Sequence, residues 1–265
     1  MQRTVTSRIV LDVTERADLV FAIAVSSAYA PASETLTATL DGAPVAMREL
    51  ADAHGTRLHR LDAQPGRLTV DYAATLDGPA ATLETDETEL LVYGRPSRYA
   101  ESDALAPTAA AEFAGIDDPV ALLAAVSSWV GTRLAYVSGS SLPTDGATRT
   151  LLNRRGVCRD YSHLCVALLR ARGIPARLVA VYAPGLDPMD FHAVAEAWVD
   201  GAWRVVDATT LAPRQSLVRI ATGRDAADTA FLSVMSGRAD LAELTVTATV
   251  DALPADDVRD LVSIG

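Results

Sequence analysis

The sequence predicts an α+β protein in two parts: a β-sandwich-like module over residues 1–95, then a mixed helix-and-strand core over residues 96–265. Three observations point there. Short, alternating, β-branched stretches separated by turn signals fill the first part. Gly94, Pro96 and Pro107 then interrupt regular structure, which sets the boundary near residue 95. Helical spacing begins beyond them, at residues 119–130.

The strands of the first part are residues 8–13, 19–25, 35–40 and 67–72, with turns at Asp41-Gly42 and Pro65-Gly66. His54 and His59 lie among them. Two histidines without a third ligand are expected to be strand or surface residues, so no metal is expected there. In the second part, residues 155–173 carry Tyr161, Leu164, Cys165 and Leu168 at i, i+3, i+4 and i+7, the apolar stripe of a helix. Gly173 stops that helix and Pro175 prevents its continuation. A strand at 176–182 and a Pro/Gly-rich loop at 183–190 follow. Residues 191–199 and 202–208 then form a hairpin around Asp200-Gly201, a strong two-residue turn signal. The remainder is expected to hold a loop at 223–228, a short helix and a last strand at 244–250.

Composition narrows the function. The net charge is −11, and all 23 basic residues are arginine. A nucleic-acid surface or an anionic membrane would need clustered positive charge, so neither is an expected partner. With no lysine there is no lysine nucleophile, Schiff base or Walker-type phosphate lysine. The first residues lack a charged stretch leading into an apolar one. No apolar run reaches the roughly 18–20 residues of a membrane span, and the expectation is a soluble, cytoplasmic protein. Cys158 and Cys165, seven residues apart, fit neither a disulfide framework nor a CxxC motif.

Cys158 falls at the first turn of its helix, where unpaired N–H groups and the helix dipole favour a thiolate. Cys165 lies within the apolar stripe and is expected to be inert. A nucleophilic thiol needs a base, and the base an orienting group. In the hairpin, Val199 pairs with Ala202, and that register carries Asp207 opposite Val194. His192 is two residues from Val194 on the same face, so His192 and Asp207 are diagonal neighbours about 7–8 Å apart at the backbone. Glu196, about 13 Å along the strand from His192, is too far to orient it. The alternate face carries Ala193, Ala195 and Ala197, small enough for close packing on another element. Spacing alone leaves two readings open: a catalytic set, or a surface His–Asp pair beside a structural thiol.

Larger blocks carry a resemblance. Gly156-Val157-Cys158-Arg159-Asp160-Tyr161-Ser162-His163-Leu164, with Arg170-Ala171-Arg172-Gly173-Ile174-Pro175 after it, resembles the nucleophile helix of the transglutaminase-like superfamily. Phe191-His192-Ala193-Val194-Ala195-Glu196-Ala197-Trp198 resembles its histidine strand, and Ala202-Trp203-Arg204-Val205-Val206-Asp207-Ala208-Thr209 its aspartate strand. Residues 95–99 and 223–228 resemble flanking motifs of its bacterial branch, where a β-rich module often precedes the core.

The resemblance implies a papain-like, transglutaminase-like cysteine-hydrolase core and a thiol-dependent amide or peptide hydrolase without cofactor or metal. Cys158 would attack an amide carbonyl, His192 would accept and return the proton, and Asp207 would hold His192, through an acyl-thioester. The Cys158 N–H would be one oxyanion donor, with Tyr136 the candidate second and Trp129 behind it. The substrate would be an amide-bearing peptide or protein. A non-catalytic peptide-binding module and a protein-glutamine transamidase are the alternatives. Arg159 stands where the family often has Gln, and Val194 where it often has Trp; both bear on substrate choice. His163 is expected to be structural, and Asp160 to cap the helix. No calcium-loop pattern is visible, which argues against a calcium-dependent crosslinker.

Overall fold

The computed structural model describes residues 1–265. In chain order, β1 (Gln2–Phe21), β2 (Ser33–Leu40), β3 (Ala43–Pro44), β4 (Arg48–Ala51), β5 (Arg57–Ala63) and β6 (Gly66–Asp77) precede α1 (Glu87–Tyr93), α2 (Ser102–Glu112) and α3 (Pro119–Arg133). Then come β7 (Ala135–Tyr136), α4 (Ala147–Asn153), β8 (Arg155–Gly156), α5 (Cys158–Ala171), β9 (Ala176–Tyr182), β10 (Phe191–Val199) and β11 (Ala202–Val206). The chain ends with β12 (Val218–Gly223), α6 (Ala226–Thr229), β13 (Leu232–Val250) and a tail.

The N-terminal module is one curled antiparallel sheet. The two strands expected at 8–13 and 19–25 are parts of a single strand, β1. The polar run Thr14–Asp18 does not break it, because the β1–β13 ladder absorbs the mismatch in register shifts around Val13, Glu15 and Asp18. On its other edge β1 pairs with β6 and then β5, so every apolar residue from Val5 to Leu11 that points inward meets a covered core.

The last strand is longer than the expected 244–250. It starts at Leu232, and the whole of it pairs with β1. A division at residue 95 puts this segment with the second part, but here it is the edge of the N-terminal sheet. The reason is physical: β1 has one long free edge, and leaving it open would expose a row of unpaired backbone groups. The two parts also share a core, since Tyr182, Val218, Ile220 and Ala221 pack with Ile9, Phe21 and Ile23.

The second part is α5 laid on a four-stranded antiparallel sheet of order β11-β10-β9-β12. Ala195 and Ala197 of β10 are fully buried with Leu164, Cys165 and Leu168 of α5, so the small face of the strand does meet a close-packed helix. The hairpin register is as the sequence predicts, from Val199↔Ala202 to Ala195↔Val206. Asp200 and Gly201 both have positive φ, 52° and 71°, which is the geometry of a type I′ turn. Gly131 of α3 lies where a Cβ would come within 2.7 Å of the Ala208 carbonyl, so only glycine lets α3 sit against the segment that follows β11. On the outer edge, Val205 N–H donates to the Val262 carbonyl at 2.8 Å, and the tail covers β11.

Charge is buried at the centre of this sheet. Glu196 of β10 is 0% exposed. It accepts from Arg177 of β9 at 2.8 Å and from Arg219 of β12 at 2.6 Å. Arg177 also reaches Glu89 of α1 at 2.7 Å and stacks over the Trp203 ring at 3.9 Å. Burial pushes the Glu196 carboxyl up, but the two guanidinium groups outweigh it and hold its pKa well below the carboxylate range. Replacing Glu196 with Leu leaves two buried arginines without their shared anion. The expected cost is about 3–5 kcal/mol, read as a fall in urea midpoint, with a smaller loss for Glu196→Gln.

Candidate active site

Cys158 is the first residue of α5 and is half-buried, so its thiol is reachable. The helix starts here because Asp160 Oδ2 accepts from the Val157 N–H at 2.8 Å, the capping role expected of it. Gly156 permits that close turn: a Cβ there would come within 2.6 Å of the Asp160 Cβ. Asp160 Oδ1 accepts in turn from Ser141 Oγ at 2.8 Å. Arg159 donates to Ser141 Oγ at 2.6 Å and to the Leu142 carbonyl at 2.7 Å, which fixes the 137–145 loop on the helix start.

His192 is 2% exposed. Its Nε2 lies 2.9 Å from Asp207 Oδ2, leaving the buried Nδ1 without a protein partner on that side. Asp207 falls one residue beyond the end of β11, yet its carboxylate meets His192 as the hairpin register requires. Its second oxygen, Oδ1, accepts from the Thr209 N–H at 2.9 Å and from the Thr209 hydroxyl at 2.6 Å. Burial would hold His192 neutral. The charge and hydrogen bond of Asp207, and after them Cys158, instead raise its pKa well above the imidazole range. Burial likewise pushes Asp207 up, but His192 and Thr209 prevail and lower it.

Tyr136 is brought to Cys158 by a two-residue parallel ladder in which Tyr136 pairs with Gly156. Burial, and after it the charge of the Cys158 thiol, raises its pKa to about 12. Trp129, the other proposed oxyanion residue, is not part of this group. Its indole N–H donates to Glu112 at 2.8 Å, its ring packs edge-on against Phe113, and Arg133 covers it. The face of α3 that carries Trp129 is turned to α2, not to the start of α5. Cys165 is 1% exposed, and burial raises its pKa far above the thiol range, as befits an inert core residue.

His163 is fully buried and stacks on Tyr99 with ring centroids 5.5 Å apart. Its Nε2 accepts from the Ala226 N–H at 3.1 Å, and burial lowers its pKa to about 3, so it is a neutral structural residue. It helps join the two flanking motifs, which meet across the fold. Asp225 accepts from the Tyr99 N–H at 2.7 Å, and Arg170 bonds both Ser97 Oγ at 3.0 Å and the Arg224 carbonyl at 2.7 Å.

Two supporting residues escaped the sequence reading. Ser162 Oγ lies 2.9 Å from both the Cys158 and the Ala193 carbonyls, and so ties the thiol's helix to the strand beside His192. Its signal was a small hydroxyl one turn after Cys158 on a buried face. Thr209 holds Asp207 through a local side-chain turn, for which Asp-Ala-Thr is a readable pattern.

Comparison with known proteins places the chain in a family. The family model of the transglutaminase-like superfamily matches residues 107–208, a span that starts in α2 and ends just after Asp207. A candidate cysteine protease from Cytophaga hutchinsonii, known from a crystal structure, is 31% identical, with 98% of this chain and 95% of that one covered and a TM-score of 0.89. An uncharacterized protein of Mycobacterium leprae is 28% identical over 153 residues, covering 54% of this chain and 55% of the relative. One from Mycobacterium tuberculosis is 30% identical over 180 residues, covering 62% and 51%. The chain therefore spans about half the length of these curated relatives. It belongs to the transglutaminase-like superfamily. No helix in it is long and apolar enough to cross a membrane.

The His192–Asp207 pair has a defined pH window. Asp207, with its pKa lowered, stabilises the fold above about pH 4, and His192, with its pKa raised, does so below about pH 6.5. The contribution is complete between those limits. It is lost as pH rises through the folded-state value of His192, or falls through that of Asp207. Asp207→Asn should therefore show its largest loss of melting temperature in that window. An imidazole NMR titration should find His192 protonated at pH 7 in the wild type and shifted to lower pKa in the variant.

Proposed function

We propose that the protein is a thiol-dependent amide or peptide hydrolase acting through Cys158, His192 and Asp207. The observation that carries this is a buried imidazole bound at Nε2 by a buried carboxylate, close enough to the half-buried, helix-terminal Cys158 for the thiol to act on its pKa. A lone structural cysteine requires neither neighbour. Kinship with a candidate cysteine protease along nearly the whole chain supports the same class.

In this reading the Cys158 proton passes to His192, and the thiolate attacks the substrate carbonyl carbon. The tetrahedral oxyanion is stabilised by the Cys158 N–H and by the Tyr136 hydroxyl, from a residue that the β7–β8 ladder pairs with Gly156, two residues before Cys158. His192 returns the proton to the leaving amine, and an acyl-thioester remains. Water, deprotonated by His192, then attacks the thioester and releases the acid and the thiol. Asp207 keeps the imidazole in one orientation throughout and stabilises its charged form.

Iodoacetamide alkylation against pH, read by peptide mass, tests the dyad. Cys158 should react rapidly below about pH 7, Cys165 should remain unmodified, and His192→Ala should abolish the low-pH advantage. A Cys158 profile identical in wild type and His192→Ala would overturn the proposal. Once a cleavable amide is found in a peptide library, Tyr136→Phe should lower kcat by about 10²-fold with little change in KM.

A further inference from the structure

Asp207 is held by more than His192. Its buried carboxylate takes three hydrogen bonds. His192 Nε2 donates to Oδ2 at 2.9 Å. On Oδ1 the Thr209 N–H donates at 2.9 Å and the Thr209 hydroxyl at 2.6 Å. The hydroxyl bond is the shortest of the three and has the length of a charge-assisted O–H···O⁻ bond. Any residue but proline would supply the N–H at position 209, whereas the hydroxyl is particular to this side chain. No other side chain donates to Oδ1, so without the hydroxyl that oxygen keeps a single bond.

The turn itself is braced from elsewhere. The Ala208 carbonyl lies so close to α3 that a Cβ on Gly131 would come within 2.7 Å of it. Thr210, next along the chain, has a φ of 52°, a left-handed conformation that is costly for a β-branched residue. Such strain persists where the surrounding structure over-determines the backbone. The path of residues 207–210 therefore does not hang on the Thr209 side chain. What that side chain governs is the rotation of the Asp207 carboxylate about its Cβ–Cγ bond, a torsion with only a broad intrinsic preference. Anchoring Oδ1 leaves Oδ2 facing the imidazole. Burial disfavours the charge on Asp207, and after His192 the two Thr209 bonds restore it. The other titratable groups whose charge bears on the pair are Cys158 and Cys165 of α5 and Asp190, just before β10; none of them hydrogen-bonds Asp207.

We propose that Thr209 is a positioning residue for the reaction: its hydroxyl fixes the rotation of the Asp207 carboxylate, and through it sets how readily His192 takes up and returns the Cys158 proton. This rests on the Cys158–His192–Asp207 reading. It adds the residue that keeps the orienting group in its working rotamer.

Thr209→Val in the full chain removes the hydroxyl but keeps the branched shape and the N–H, and Thr209→Ser restores the hydroxyl. Two readouts are taken: the imidazole NMR titration of His192, and the iodoacetamide rate of Cys158 against pH by peptide mass. In Thr209→Val, His192 should lose its proton about one pH unit lower than in the wild type, a roughly tenfold weaker hold. With less imidazolium to favour the thiolate, Cys158 alkylation at about pH 6 should slow about three- to tenfold. Thr209→Ser should restore both readouts. If Thr209→Val does not fold, Thr209→Ala carries the same expectations. A residue with a role in stability alone would lower the melting temperature of the variant and leave the His192 titration where it was. That result, in a protein whose Cys158 keeps its low-pH advantage over His192→Ala, overturns the role of Thr209 and leaves the triad standing. Absence of that advantage in the wild type overturns the nucleophile assignment, and the part of Thr209 in the reaction with it.

Discussion

A carboxylate shielded from water sets the four-stranded sheet of the second part in place. Glu196 lies directly across from Arg177 in the β9–β10 ladder and reaches Arg219 on the far strand. The apolar contacts of β10 cannot define its register by themselves. Ala193, Ala195 and Ala197 are interchangeable, and a two-residue slip would keep small residues on α5 and alternation intact. Such a slip would bury Glu196 opposite an apolar residue and leave Arg177 without its anion, at a cost of several kcal/mol. The ion cluster thus fixes the register that puts His192 opposite Val181, one residue into the strand. Through Glu89 the same arginine holds α1 as well, so the segment leaving the N-terminal module is keyed to the same point.

The groups of the candidate site come from three local devices that have little else in common. An Asp160 cap and a glycine start α5 at Cys158. A type I′ turn fixes the hairpin that brings His192 to Asp207. A two-residue parallel ladder presents Tyr136. Ser162 joins the first device to the second through the carbonyls of Cys158 and Ala193. Each device is short and covalently local, so the spacing between thiol and imidazole depends mainly on the packing of α5 against β10.

What was legible in the sequence follows from that locality. The Asp-Gly turn determines its own register, so the meeting of His192 and Asp207 could be worked out from residue numbers. The stripe and its Gly156 start placed Cys158 at a helix terminus. Long-range pairing left no comparable trace. Nothing in Thr14–Asp18 says that a partner strand more than 200 residues later will carry the chain across that polar run. Residues 232–243, broken by Gly237 and charged side chains, do not alternate cleanly enough to be read as strand. Glu196 could be excluded as the histidine's partner by distance, but its own partners lie on other strands and were invisible. Trp129 was misplaced for a similar reason, because helical spacing gives a face but not the neighbour it faces.

The pairing of β1 with β13 has a consequence for how the molecule comes into being. The ladder joins residues 3–21 to residues 232–250, the greatest chain separation in the fold. On a ribosome residues 3–21 emerge well before their partners at 232–250. The N-terminal module must therefore wait, one long edge bare, until the β11-β10-β9-β12 sheet has been synthesised. Contacts of such high order slow folding and favour chaperone capture of the nascent chain. Completion of the sheet is thereby coupled to arrival of the second part, and the module closes only on a chain that already contains Cys158, His192 and Asp207.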